Sequence, residues 1–322
     1  MKNPLKVAAV QFEMVEGDKE KNMATMAAFV EQASRKGADV VCFPEICITG
    51  YHFLTELNKA EILKFAELTK NGPAVKYFTQ KAREFNVHIL FGLIEKTEND
   101  ELYNTCVVIG PEGLLFQHRK VHAFEHSAIL QGNALETFDL LGWRCGILIC
   151  YDNNLPENGR VMALNGAEII FAPHQTGGFD ISKAGMGRIP LELWRNRQRD
   201  PQSMSEAILG LKGRAWITKW LPSRAYDNNC YLVFINGVGI DGPEVRVGCN
   251  MIIDPEGIII AETTKADDDM ILASLYKEKR VNSLPSAHMA SRRPSLYSKL
   301  TELTEEIDTR SIRNRVSNEK IK

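Results

Sequence analysis

Cys150 closes the apolar run Cys145-Gly146-Ile147-Leu148-Ile149 and gives way to polar residues and then Pro156, a residue suited to the first turn of a helix. A side chain at such a strand-to-helix elbow stands at the carboxyl end of a sheet, where α/β active sites gather. A thiol of ordinary pKa, about 8.5, is mostly protonated at neutral pH, so a nucleophilic cysteine needs a base or a cation beside it. Two such groups occupy matching places. Glu45 follows the apolar run Val40-Val41-Cys42-Phe43, and Lys120 follows the strand that carries Leu114-Leu115-Phe116. Taken singly, the cysteine reads as a buried core thiol and each charge as a solvated strand end. A thiol, a carboxylate and an ammonium at three strand ends are harder to dismiss together, because they are the groups that nucleophilic catalysis by a cysteine needs.

The windows around these residues, FPEICITGY, HRKVHAFE and GILICYDNNLPE, resemble the signatures of the nitrilase superfamily, the carbon-nitrogen hydrolases, in the chain order Glu, Lys, Cys. The resemblance runs from VAAVQFE near the start through SRAYDNNCYLVFINGVG to the DPEG turn and the late RRPSLY segment. It implies an α/β fold, a four-layer αββα sandwich of two mixed sheets. It also implies a catalytic set of Glu45, Lys120 and Cys150, no metal, no organic cofactor, and a homodimer or higher homo-oligomer. The family usually carries a second glutamate shortly before a Pro-Gly pair. Glu125 falls at that spacing here, with Gln131 in place of the proline before Gly132.

The implied roles agree with the chemistry of the residues. Glu45, its pKa raised by a partly apolar pocket, takes the Cys150 proton and later passes one to departing ammonia. Cys150 forms a thioester, Lys120 and the backbone N–H of Tyr151 hold the oxyanion, and Glu125 orients Lys120 or the attacking water. The expected reaction is cleavage of a nonpeptide C–N bond in a small amide or N-carbamoyl compound, with ammonia released, and CO2 as well from a carbamoyl group. Hydrolysis of a nitrile is the second reading, because relatives acting on nitriles commonly continue with Trp and Glu after the nucleophile, where this chain has Tyr151-Asp152-Asn153. A catalytically silent binding or assembly protein of the same fold is the third.

Substrate recognition is less determined. Asn153 and Asn154 stand where family members acting on N-carbamoyl amino acids tend to carry arginine. A carboxylate grip would then come from Arg188, Arg195 or Arg197 in the basic stretch further on, since guanidinium pairs bidentately with carboxylate. The amides themselves suit a neutral or amine-bearing substrate, with Asp152, Glu157 and Asp180 as acids for an amine. Arg224, Asn228 and Asn236 read as groups that fix loops behind the site or line a dimer face. His118, His122 and His126 recur every four residues and would line a helix face as zinc ligands, but the apolar strand before His118 and the presence of Lys120 argue against a metal.

These residues must be held by a regular α/β frame. Leu5 to Phe12 reads as a strand, Asp18 as the cap of a helix carrying Met23, Met26, Phe29 and Val30, and Gly37 as its close before a second strand at 39–43. A helix from about Pro73 to Phe85 and a buried strand from Val87 to Ile94 continue the rhythm. The same Pro-Glu-Gly turn joins apolar runs at 107–116 and 251–260, which makes the sheets mixed and hints at an internal duplication. Residues 1–300 read as one domain with an insert at about 175–213, basic and rich in glycine, taken as a lid or a subunit contact. Residues 301–322 read as a charged tail.

Composition narrows the class further. Among 322 residues, 44% are hydrophobic and 25% charged, enough for a large core, and 39 cationic against 41 acidic side chains give a formal charge of −2. That balance offers no electrostatic footprint for nucleic acid or an anionic membrane. No apolar run nears the roughly 20 residues of a membrane span, and seven cysteines without a close CxxC pair suit reduced thiols. The expected setting is cytoplasmic, with a small molecule as the partner.

Overall fold

In β1 (Leu5–Gln11) of the computed structural model, Leu5, Val7 and Ala9 enter one apolar core while Ala8 and Val10 enter another. A strand buried on both faces must lie between a second sheet and a layer of helices, and that is the arrangement found. The structure describes residues 4–177, 187–281, 283–302 and 308–311.

The first sheet continues with β2 (Val40–Cys42), β3 (His88–Lys96), β4 (Leu102–Gly110) and β5 (Gly113–Arg119), with the short β6 (Ile129–Leu130) against β4. The second contains β7 (Thr137–Leu140), β8 (Trp143–Ile147), β9 (Ile169–His174) and β10 (Tyr231–Asn236). A separate hairpin, β11 (Val238–Asp241) with β12 (Glu244–Val247), precedes β13 (Met251–Ile253) and β14 (Ile259–Glu262), which complete the second sheet. The last strand, β15 (Asp269–Leu275), returns to pair antiparallel with β1. Each sheet therefore has three parallel strands, β1-β2-β3 and β8-β9-β10, extended by an antiparallel pair, β4-β5 and β13-β14. Both antiparallel pairs turn through the repeated Pro-Glu-Gly segment. Gly113 and Gly257 sit at φ +118° and +77°, and both ladders slip register near the turn. The duplication expected from those turns is thus present in strand order as well.

Helices cover the outer faces. α1 (Lys19–Arg35) starts at Asp18, whose carboxylate accepts the Lys21 N–H at 3.0 Å. It precedes α2 (Lys59–Phe65) and α3 (Pro73–Phe85), and the Met26, Val30, Phe78 and Ala82 side chains of α1 and α3 seal the first sheet. α4 (Pro156–Leu164) sets Met162 against Leu148 and Ile170. Between the sheets, Val7, Cys42, Leu90 and Val108 meet Ile147, Ile149, Phe171 and Val233. Full burial of each large apolar side chain contributes roughly 1.5 to 3 kcal/mol, so this four-layer packing is what holds the strand ends in place.

The insert, in its described part, packs on the second sheet. α5 (Leu191–Arg195) and α6 (Pro201–Leu209) bury Trp194, Met204 and Ile208 on the second sheet, together with α7 (Arg214–Ile217) and α8 (Leu221–Tyr226). Helices this short show too few turns for an apolar period to be visible in the sequence. Asp180 lies outside the described residues. In the charged tail, Thr309 is buried, and Arg310 donates to the His126 carbonyl at 2.8 Å, so residues 308–311 dock beside the loop that bears Glu125. Among the described residues no helix is long and apolar enough to cross a membrane.

Candidate active site

The carboxyl ends of β2, β5, β8 and β9 converge, and each delivers a polar side chain. Glu45 lies three residues beyond β2 on a segment pressed against β3, where the Gly92 N–H donates to the Pro44 carbonyl at 3.2 Å. A Cβ on Gly92 would overlap the Ile46 amide nitrogen and lie 2.9 Å from Glu45 Cα, so glycine is required for this approach. Gly92→Ala is expected to displace Glu45 and lower kcat/KM by about 100-fold, the scale set by an ångström of misplacement. Steady-state kinetics with thermal melting checks it; unchanged turnover would show that Glu45 does not depend on this contact.

Lys120 follows β5 directly. Its N–H donates to the Asn104 carbonyl at 2.8 Å, and its carbonyl accepts from Gly132 at 2.7 Å. The Lys120 ammonium is fully buried, donates to Glu45 Oε1 at 2.7 Å and to Glu125 Oε1, and lies 4.7 Å from the centre of the Phe124 ring. Asn104 on β4 donates at 2.7 Å to both Glu45 Oε1 and Glu125 Oε1. The second Glu45 oxygen accepts the Gln175 N–H at 3.0 Å, and Glu125 Oε2 accepts the Phe124 N–H at 2.8 Å.

One ammonium between two buried carboxylates cannot serve both equally. Burial, reinforced by the Cys150 thiol, pushes Glu45 well above the usual carboxylate range despite Lys120. Burial also opposes charge on Glu125, yet Lys120 and the Asn104 amide outweigh it and hold that carboxyl below its ordinary value. For Lys120, burial is in turn outweighed by Glu125 and Glu45, and the ammonium is kept charged. The result is a Lys120–Glu125 ion pair with Glu45 beside it as a group ready to hold a proton.

Cys150 is half-buried at φ +49°, and Ile46, next to Glu45, has φ +48°. Left-handed backbone at a branched residue and at the thiol marks strain held by the surrounding packing at the site itself. Asp152 ties this elbow to the Lys120 loop. Its buried carboxylate accepts the His122 N–H at 2.9 Å, the Ile149 N–H at 3.1 Å and the Val121 N–H at 3.4 Å. Arg224 clasps the same elbow from behind, donating to the carbonyls of Asn153 at 2.9 Å and Asn154 at 3.1 Å. Asn236 similarly ties the Thr176 backbone to Gly248.

Several expected substrate contacts are placed otherwise. Asn153 is fully buried and its NH2 faces the Leu148 carbonyl at 2.7 Å, so it points into the protein. Asp152 is committed to backbone amides and to His122, which removes it as an acid for an amine. Arg195 pairs with Glu192 on the exposed face of α5, and Arg197 donates to the Ala266 carbonyl at 2.9 Å. Arg188 is exposed and is felt electrostatically by Glu244. Asn154 is half-buried, with Oδ1 lacking a hydrogen-bond partner. His118 lies in β5, His122 contacts Asp152, and His126 Nδ1 accepts the Ala128 N–H at 3.0 Å, so the three histidines share no helix face. Among the described residues, no group of three or more His, Cys, Asp and Glu side chains is gathered for a metal. Asn104 went unnoticed in the sequence, although it is the first polar residue to interrupt β4 before its apolar run.

A buried carboxylate and ammonium near a half-buried thiol, at the strand ends of a duplicated αββα sandwich, fit a carbon-nitrogen hydrolase. The family model for carbon-nitrogen hydrolases matches residues 6–280, and the chain belongs to that family, within the nitrilase superfamily. Relatives include a nitrilase from Pyrococcus abyssi, 27% identical over 287 residues, which span 87% of this chain and 94% of the relative. The 2-oxoglutaramate amidase of Bacillus subtilis is also 27% identical, over 262 residues, 80% of this chain and 85% of that enzyme. Among solved structures, the amidase of Nesterenkonia sp. AN1 superposes with a TM-score of 0.69 at 18% identity, covering 92% of this chain and 97% of the other.

Proposed function

We propose that the chain is a cofactor-free thiol amidase that cleaves the C–N bond of a small amide or N-carbamoyl compound through a Cys150 thioester. The observation that carries this reading is the buried Glu45–Lys120–Glu125 cluster, bridged by Asn104, beside the strained Cys150 elbow. Glu45 takes the Cys150 proton as the sulfur bonds to the carbonyl carbon, and the carbonyl electron pair moves onto oxygen. Lys120 Nζ and the Tyr151 backbone N–H hold that oxyanion, and Glu125 with Asn104 keeps Lys120 aimed. Collapse breaks the C–N bond, and Glu45 returns the proton so that ammonia leaves. Water then attacks the thioester, giving its proton to Glu45, and the released sulfur recovers it. The Nesterenkonia amidase offers a parallel, since one of its mutants carries the acetamide moiety of fluoroacetamide on the active-site cysteine. Reduced thiols suit a cytoplasmic setting, and the family likeness supports assembly as a homodimer or larger homo-oligomer.

The test measures ammonia and CO2 from wild type and Cys150→Ala over simple amides, N-carbamoyl amines, N-carbamoyl amino acids and nitriles. Cys150-dependent ammonia from amides supports an amidase, and ammonia with CO2 a carbamoylase. Activity confined to nitriles favours the nitrilase reading, to which the Pyrococcus relative lends support. No Cys150-dependent product from any of them would overturn the hydrolase reading in favour of a binding protein.

A further inference from the structure

Beyond the cluster just described, a hydroxyl stands near Cys150 Sγ. Thr176, two residues past β9, places Oγ1 3.8 Å from the sulfur. The same hydroxyl oxygen is 2.9 Å from His174 Nδ1, and His174 Nε2 is 3.0 Å from Asn153 Nδ2. All of Thr176, His174 and Asn153 are buried.

The protons along this row can be counted. Asn153 Nδ2 faces the Leu148 carbonyl at 2.7 Å and the Cys150 carbonyl at 3.3 Å, and a flipped amide would set its oxygen against both. The NH2 group is therefore where it stands, and an NH2 only donates. Of its two hydrogens one goes to the Leu148 carbonyl and the other to His174 Nε2, which at 3.0 Å is nearer than the Cys150 carbonyl, so Nε2 accepts and the ring proton of a neutral imidazole is on Nδ1. Burial favours that neutral ring, holding His174 at a pKa of about 3; the charged groups facing it are Glu45, Lys120 and Asp152. The Phe234 ring, its centroid 4.6 Å away and its plane tilted by 57°, packs against the imidazole and restrains it. With the Nδ1 proton on a lone pair of Thr176 Oγ1, the hydroxyl proton is left free to point at the sulfur.

We propose that Thr176 is a catalytic hydrogen-bond donor to the Cys150 sulfur, and that His174 and Asn153 are positioning residues that give its hydroxyl one direction. The inference rests on Cys150 being the nucleophile and deepens that reading. A donor at 3.8 Å is loose against a neutral thiol and tightens as negative charge develops on sulfur. The hydroxyl would thus stabilise the thiolate at attack and again when sulfur leaves the thioester. It also explains why a fully buried asparagine stands three residues after the nucleophile without facing the substrate.

The test is the pH dependence of Cys150 alkylation by iodoacetamide, followed by peptide mass, which needs no substrate. The sulfur displaces iodide and the thiol proton passes to Glu45 or solvent. In Thr176→Val the rate at pH 7 is expected to fall about tenfold, with the profile displaced about one pH unit toward alkaline. Thr176→Ser is expected to stay within about twofold of wild type, and His174→Leu to shift in the same direction as valine by less. Glu45, Lys120 and Tyr51, the other titratable groups facing the thiol, remain in all three variants. Coincident profiles for valine, serine and wild type would overturn the relay. If Thr176→Val does not fold, Thr176→Ala against Thr176→Ser gives the same contrast. Failure of iodoacetamide to prefer Cys150 over the other six cysteines in wild type would instead overturn its assignment as the nucleophile.

Discussion

Replacing Cys150 by alanine is expected to cut hydrolysis of an accepted substrate by about 10⁴-fold or more, the scale on which nucleophile deletions act in covalent hydrolases. Folding should survive, because the side chain is half-buried at the edge of the inter-sheet core and Asp152, Arg224 and α4 hold the elbow without it. Cys150→Ser should be nearly as inactive, since Glu45 must then deprotonate a far weaker acid. The backbone at +49° adds a second readout. Left-handed backbone costs an L-residue about 1 kcal/mol or more that glycine avoids, so Cys150→Gly should melt roughly 1 to 3 °C above Cys150→Ala. Substantial turnover by the alanine variant would remove Cys150 from the mechanism. A glycine variant melting below the alanine variant would remove the strain argument and leave the chemistry untouched.

The second large effect is on Lys120. Lys120→Met keeps the length of the stem but strips the buried cluster of its cation, leaving Glu45 and Glu125 facing each other through Asn104. Breaking a buried pair in this way costs about 3 to 5 kcal/mol, and loss of an oxyanion donor lowers kcat by a further 10²- to 10³-fold, roughly. The pH dependence follows from the direction of each shift. In wild type, the depressed pKa of Glu125 contributes stability that is present above its unfolded value, about 4.3, and lost as pH falls through the lower folded value. Glu45, raised, acts in the opposite sense, costing stability as pH rises above its unfolded value. Without Lys120 both carboxyls are raised, so the variant is penalised most at neutral and alkaline pH and recovers on protonation. Its melting temperature should lie far below wild type at pH 8 and approach it near pH 4 to 5. Equal melting at pH 8, or a gap that widens as pH falls, would contradict the cluster as described.

Much of the fold was legible because its signals are local. The Asp18 cap, the α3 helix that begins at Pro73 and the paired Pro-Glu-Gly turns each depend on residues within a few positions of one another. The short helices α5 and α6 were not legible, since five and nine residues carry too little periodicity. Asn153 was misread for a related reason. Following a nucleophile, an amide reads as a substrate contact, and only the strand that brings His174 behind it turns it inward.

By itself the sequence determined the reactive types, Glu45, Lys120 and Cys150, and their places at strand ends, because strand termini and side-chain chemistry are short-range properties. The turn chemistry repeated in both halves hinted at the duplication, and the family resemblance implied the two-sheet plan. Only the tertiary structure decided how charge is divided among these groups. Lys120 is neutralised by Glu125 rather than shared equally, Asn104 bridges both acids, and Thr176 Oγ1 is set between His174 and the Cys150 sulfur. The physical reason is that electrostatics in a dry interior depends on distances between residues far apart in the chain, such as Glu45 and Lys120, separated by 75 positions and brought to 2.7 Å.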